Sequence, residues 1–160
     1  MTRGSYTGNG TTQTITTTFP PDLVFVKGNT AQYAVWSSIM DYDQTHYFSN
    51  AAVAFTGGIS DLGDTGFTVG NNATVNSNLV TYEYVAFGNA TSPRNRGGAS
   101  DFIVGAYTGN GIAGRMIDHL GVAPDMVLIK PPNITAASNI NVWKSASMAT
   151  GTSAYMTATA

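Results

Sequence analysis

Hydrophobic positions in this chain come in short alternating runs that never hold a helical period beyond ten residues. Residues 12–18, TQTITTT, are β-branched at nearly every step and place Ile15 alone on one face, which predicts a strand with one polar side. Pro20 and Pro21 end that ladder, since proline donates no hydrogen bond. Leu23–Val26 is a continuous apolar run, the pattern of a strand covered on both faces, and Lys27-Gly28-Asn29 closes it with turn chemistry. Tyr33–Ile39 around Trp36, and His46–Phe48, predict further strands. Ala51–Phe55 suits a short strand as well as a helix that Gly57-Gly58 would break, and Ile59–Asp64 reads as a loop. Phe67 and Val69 share one face of a strand bounded by glycines, and Asn71–Thr74 is a turn. Val80–Phe87 alternates most cleanly, with Val80, Tyr82, Tyr84 and Ala86 opposite Thr81, Glu83, Val85 and Phe87. Short strands with Gly, Asn and Pro between them predict an all-β fold, an antiparallel, jelly-roll-like β-sandwich.

The pattern then repeats. GSYTGNG at Gly4–Gly10 returns as GAYTGNG at Gly105–Gly111, and PDLVFVK at Pro21–Lys27 as PDMVLIK at Pro124–Lys130. Weaker matches set Trp36 against Trp143 and Tyr47 against Tyr155. The second copy has no counterpart of GDTGFTVG or TYEYVAFG. The expected organisation is a complete sandwich over 1–88, a linker over 89–101 and a partial second repeat over 102–160. Missing sequence or a neighbouring chain would complete that second unit by strand pairing at an open edge. Phe102–Val104 is expected to be a strand feeding the second YTGNG, while Gly114–Leu120 departs from its threonine-rich counterpart.

Composition narrows the function classes. Hydrophobic residues make up 42% of the chain and charged residues only 10%, so hydroxyls, amides and backbone must cover much of the surface. That suits a subunit buried in an assembly or an extracellular display protein. The net charge is −2, with seven basic residues scattered rather than striped, which argues against nucleic acid as a partner. No apolar run approaches the length of a membrane span, and Met1-Thr2-Arg3 does not begin a signal peptide. The chain has no cysteine, so disulfides and thiolate metal sites are excluded.

Candidate sites are few. The two YTGNG stretches lack the lysine and spacing of a phosphate loop, so Gly8, Asn9, Gly10 and Gly109, Asn110, Gly111 read as tight turns that need positive φ. Asp22 and Asp125 precede the buried strand, where a carboxylate can cap turn N–H groups, and Lys27 and Lys130 end it with stems that can snorkel. His46 and His119 stand without the company a zinc site needs, and the Asp41, Asp43, Asp61, Asp64 group matches no calcium loop. No nucleophile elbow or paired-carboxylate motif appears, so no enzyme, cofactor or metal is expected. Trp36 is either a core aromatic or, with Tyr42 and Tyr47, a platform for sugar rings.

The run of YTGNG, T-x-T-I-T, PDLVFVK, a tryptophan, D-x-G-F-T-V-G and T-Y-x-Y-V-A-F resembles a module of tailed-bacteriophage virion proteins, often described as tail fibre, tail or head structural proteins. The resemblance covers Gly4 to Phe87 well and Gly105 to Trp143 in part. It implies an all-β virion component, tail-associated or capsid-decorating, homo-oligomeric and assembled with other virion proteins. The alternative is a receptor-binding module that recognises host surface glycan. The resemblance brings no catalytic residues.

Overall fold

A computed structural model describes residues 1–29, 33–48, 54–88, 102–118, 120–121, 123–131 and 141–155. The expected linker, His119, the terminal residues 156–160 and most of Ala51–Phe55 lie outside these. The strands are β1 (Thr2–Thr7), β2 (Gln13–Thr16), β3 (Leu23–Lys27), β4 (Tyr33–Ser37), β5 (His46–Tyr47), β6 (Ile59–Gly63), β7 (Gly66–Val69), β8 (Thr81–Phe87), β9 (Met126–Ile129), β10 (Val142–Ser145) and β11 (Ala154–Tyr155). A single helical turn, α1 (Ala73–Asn76), precedes β8. Its N-cap is Asn72, whose side chain accepts from the Thr74 N–H at 2.9 Å.

The first unit is an antiparallel sandwich. One sheet has the order β1-β8-β3-β4-β5 and the other β2-β7-β6. Period-2 alternation builds the interface between them. Val24, Val26, Ala34, Trp36, Tyr82, Tyr84 and Ala86 come from the larger sheet, and Ile15, Ile59, Leu62, Phe67 and Val69 from the smaller. Phe67 meets Tyr84 edge-on at 5.1 Å between ring centroids, which ties the two sheets together. Tyr6 stacks on Tyr82 at 5.3 Å and donates from its hydroxyl to the Val75 carbonyl at 2.6 Å. Burial and the neighbouring Tyr82 push its pKa far up, so it stays a neutral donor. β1 on β8 and β2 on β7 are nested pairs, as in a jelly roll, but β4 and β5 extend the first sheet instead of crossing to the second.

Ile59–Gly63 corrects one expectation, because it is a strand and not a loop. A register shift between Ile59 and Asp61 breaks the alternation, so both Ile59 and Leu62 turn inward three positions apart.

The first GNG turn is held by one buried side chain. The Oδ1 of Asn76 accepts from the Asn9 N–H at 2.9 Å and from Gln13 Nε2 at 2.7 Å. Its Nδ2 donates to the Gly70 carbonyl at 2.7 Å, to Asn9 Oδ1 at 3.2 Å and to the Thr11 carbonyl. The Gly10 N–H reaches the Asn76 carbonyl at 2.9 Å. Gly8 faces the Ser77 carbonyl so closely that a Cβ there would stand 2.1 Å from the oxygen. Asn76→Ala strands several buried donors and acceptors and is expected to destabilise the protein by about 3 kcal/mol. Gly8→Ala forces the turn off the β8 approach and is expected to lose about 2 kcal/mol. Chemical denaturation of the two variants beside the parent checks both values.

Candidate functional site

The third sheet, β11-β10-β9, repeats the β5-β4-β3 part of the first unit. Leu23 pairs with Ser37 as Met126 pairs with Ser145, and Ala34 pairs with Tyr47 as Val142 pairs with Tyr155. Turn hydrogen bonds repeat as well. Ser38 N–H to the Asp22 carbonyl at 2.9 Å matches Ala146 N–H to the Asp125 carbonyl at 2.7 Å. Met40 N–H to the Ser37 carbonyl at 3.0 Å matches Met148 N–H to the Ser145 carbonyl at 3.1 Å. Tyr47 and Tyr155 are therefore equivalent, but Trp36 and Trp143 are not. The register sets Trp36 against Lys144 and Val35 against Trp143. A slip of one residue moves a side chain to the other face of a strand, so the two tryptophans serve opposite faces.

What the second copy lacks explains the rest of its shape. β1 is an edge strand whose ladder is supplied by β8, and β2 pairs with β7. Residues 102–118 form no strand, which corrects the strand expected at Phe102–Val104, and no counterpart of β7 or β8 is present among the described residues. The turn itself survives. Gly10 and Gly111 have φ of 72° and 70°, and Asn110 Oδ1 accepts from the Ile112 N–H at 3.1 Å as Asn9 Oδ1 does from the Thr11 N–H at 2.8 Å. Arg115 Nη1 donates to the Thr108 carbonyl, where Gln13 serves Thr7 in the first unit. Nothing among the described residues replaces Asn76.

The uncovered sheet is apolar. Ile129 is 38% exposed where its counterpart Val26 is 0%, and Met126, Tyr107, Ile112, Met116 and Tyr155 are also exposed. Among the described residues β9 pairs only with β10, so its other edge is open. A groove of about 490 Å3 runs beside it, lined by Tyr107, Gly109, Ile112, Ile117 and Ile129 among others.

The second copy touches the outer face of the larger sheet. Phe102 stacks on Phe87 at 5.2 Å, continuing an aromatic row through Phe25 and Phe48. Buried Asn141 donates from Nδ2 to the Phe48 carbonyl. His46 Nδ1, Lys130 Nζ and Asn141 Oδ1 are buried without a hydrogen-bond partner among the described residues. Lys130 thus does not snorkel, whereas Lys27 stands over the Tyr33 ring at 5.0 Å. Desolvation lowers the pKa of Lys130. Desolvation first, then the Lys130 charge, lowers that of His46 against an opposing pull from Asp41.

The remaining candidate residues are dispersed. Trp36 is 6% exposed and donates from Nε1 to the Asp41 carbonyl at 3.2 Å, so it offers no ring face to solvent. Half-buried Tyr47 lies against Phe55 at 4.6 Å, and Tyr42 is 78% exposed. Tyr42, Asp43, Asp61, Asn71, Thr11 and Ser60 line an open groove of about 620 Å3. Asp43 Oδ1 accepts from the Gly57 N–H at 2.8 Å, and Asp22 Oδ1 accepts from the Ser38 hydroxyl at 3.4 Å rather than from a turn N–H. No group of three or more His, Cys, Asp or Glu side chains is placed to hold a metal ion among the described residues. Asn76, Phe102 and the Ile117–Ile129 groove carry no local motif, and the repeat alignment points to the groove alone.

The described residues form an antiparallel β-sandwich and a smaller three-stranded sheet that repeats part of it. The chain belongs to the family described as a domain of unknown function (DUF7483), whose model matches residues 1–160 and so spans both copies. No curated protein and no solved structure matches it.

A base whose folded pKa is depressed binds fewer protons than in the unfolded chain as the pH falls through its ordinary value of 6.5, so folding loses stability in that window. Thermal melts between about pH 7.5 and pH 5.5 are expected to show a falling Tm, and His46→Gln, which cannot protonate, a flatter profile.

Proposed function

We propose that this chain is a non-enzymatic structural protein of a tailed-phage virion, tail-associated or capsid-decorating, that acts by assembling with other copies and other virion proteins. The observation that carries the assembly part is the second sheet. Among the described residues it has a strand edge without a neighbour and an exposed apolar face, in a chain with few charges to keep such a surface apart from others. The motif series from YTGNG to TYEYVAF supports the particle. Antibodies against the chain are expected to label purified particles of the phage that encodes it at one class of position. Its absence from those particles by mass spectrometry would refute the assignment.

A second reading, host glycan recognition, is favoured by the exposed Tyr42 ring above the groove that Asn71, Asp61 and Thr11 line. Amide, hydroxyl and carboxylate groups beside an exposed ring suit a sugar, but the platform then consists of Tyr42 without Trp36. Specific signals on a glycan array that Tyr42→Ala removes, with the melting curve unchanged, would support it. A blank array would leave assembly as the sole function proposed.

A further inference from the structure

We propose that the second copy binds an extended polypeptide strand of the β8 kind, antiparallel to β9 and lying between β9 and residues 105–109. This deepens the assembly reading by naming what the open sheet receives, and it does not depend on which particle holds the chain.

The first unit shows the finished form of the same site. There β8 lies between β1 and β3, with Tyr6 opposite Tyr82 and Val26 opposite Tyr84. The counterparts of Tyr6 and Val26 are Tyr107 and Ile129, and these two line the groove beside the second GNG turn. The groove therefore occupies the slot that Tyr82 and Tyr84 fill in the first unit.

Two glycines report the same missing strand. A Cβ on Gly4 would meet the Tyr84 ring and hydroxyl at 2.7–2.8 Å, and one on Gly8 would meet the Ser77 carbonyl at 2.1 Å. Gly105 and Gly109 hold the same places in the second copy, and a Cβ on either would meet nothing within 4 Å. Neither has a positive φ, so neither needs to be glycine for its backbone. Their bareness is explained by a strand that comes as close to them as β8 comes to Gly4 and Gly8.

The turn is also only half bonded. Asn110 makes the local bond to the Ile112 N–H, but the bonds that Asn76 and its carbonyl supply to Asn9, Thr11 and Gly10 have no counterpart among the described residues. An incoming strand that carries an asparagine six residues before its first inward tyrosine, as Asn76 precedes Tyr82, would supply them. Main-chain hydrogen bonds to β9 would give the affinity, and the two tyrosines and the asparagine the register.

The test uses the whole chain and a synthetic peptide of residues 72–88, NATVNSNLVTYEYVAFG. Titration is expected to give saturable binding, with NMR shifts at Val127, Ile129 and Tyr107 and none at Val24 and Val26. Gly109→Ala, whose methyl would face the peptide carbonyl, is expected to weaken binding roughly tenfold or more while leaving the melting temperature unchanged. Peptides with both tyrosines replaced by serine, or with the asparagine replaced by alanine, should bind weakly. No saturable binding, or binding indifferent to Gly109→Ala and to the peptide changes, would overturn the proposal. The peptide variants leave the protein untouched, so their outcome does not depend on how any protein variant folds. A chain that binds the peptide but is absent from particles would sink the particle assignment alone.

Discussion

A strand's backbone groups are satisfied by its neighbours, and in this protein β8 is the neighbour on which both β1 and β3 depend. It brings Tyr82, Tyr84 and Ala86 into the core and its lead-in carries Asn76 to the first GNG turn. Among the described residues the second copy repeats this design with no counterpart of that strand. What needs only local pairing still forms: the β9–β10–β11 ladder, its turns and the positive φ of Gly111. What needs β7 or β8 does not form, so residues 102–118 keep their turn but lose their strands.

The sequence made the strands legible wherever alternation was clean. Tyr82, Tyr84 and Ala86 face inward as Val80–Phe87 implied, and Ile15 is buried between exposed threonines. The antiparallel sandwich follows from those patterns. β6 was not legible because a bulge shifts its inward residues out of period. The tryptophan match failed for a related reason: residue identity suggested it, but strand register, set by the Ser37 and Ser145 positions, places the rings on opposite faces. Asn76 could not be found from sequence, since its partners in the GNG turn lie more than sixty residues away and no local pattern marks them.

Repetition was the most useful signal for the candidate surface, though for a reason that becomes visible only in three dimensions. A turn glycine explains itself through φ, as Gly10 and Gly111 do. Gly8 and Gly4 are explained instead by what approaches them from another strand. Composition could show that such residues recur, but not that one pair is crowded and the other bare. The contrast between the copies turns an apolar exposed edge, which alone would have no defined occupant, into a slot with a shape, a direction and a register.

The contact between the copies sets how firmly that slot is held. A three-stranded ladder of two- and four-residue strands is marginal alone, and this one gains support where Phe102 stacks on Phe87 and Asn141 reaches the Phe48 carbonyl. Nearby, His46 Nδ1 and Lys130 Nζ are buried without hydrogen-bond partners among the described residues, an arrangement that costs desolvation. Apolar stacking thus holds the second sheet against the first while two desolvated bases nearby carry that cost. An incoming strand that paired with β9 would add ladder hydrogen bonds and apolar cover to the weakest part of the molecule. Binding and ordering of the second copy would then be one event, and affinity for the strand would include the stability that the unfinished unit gains.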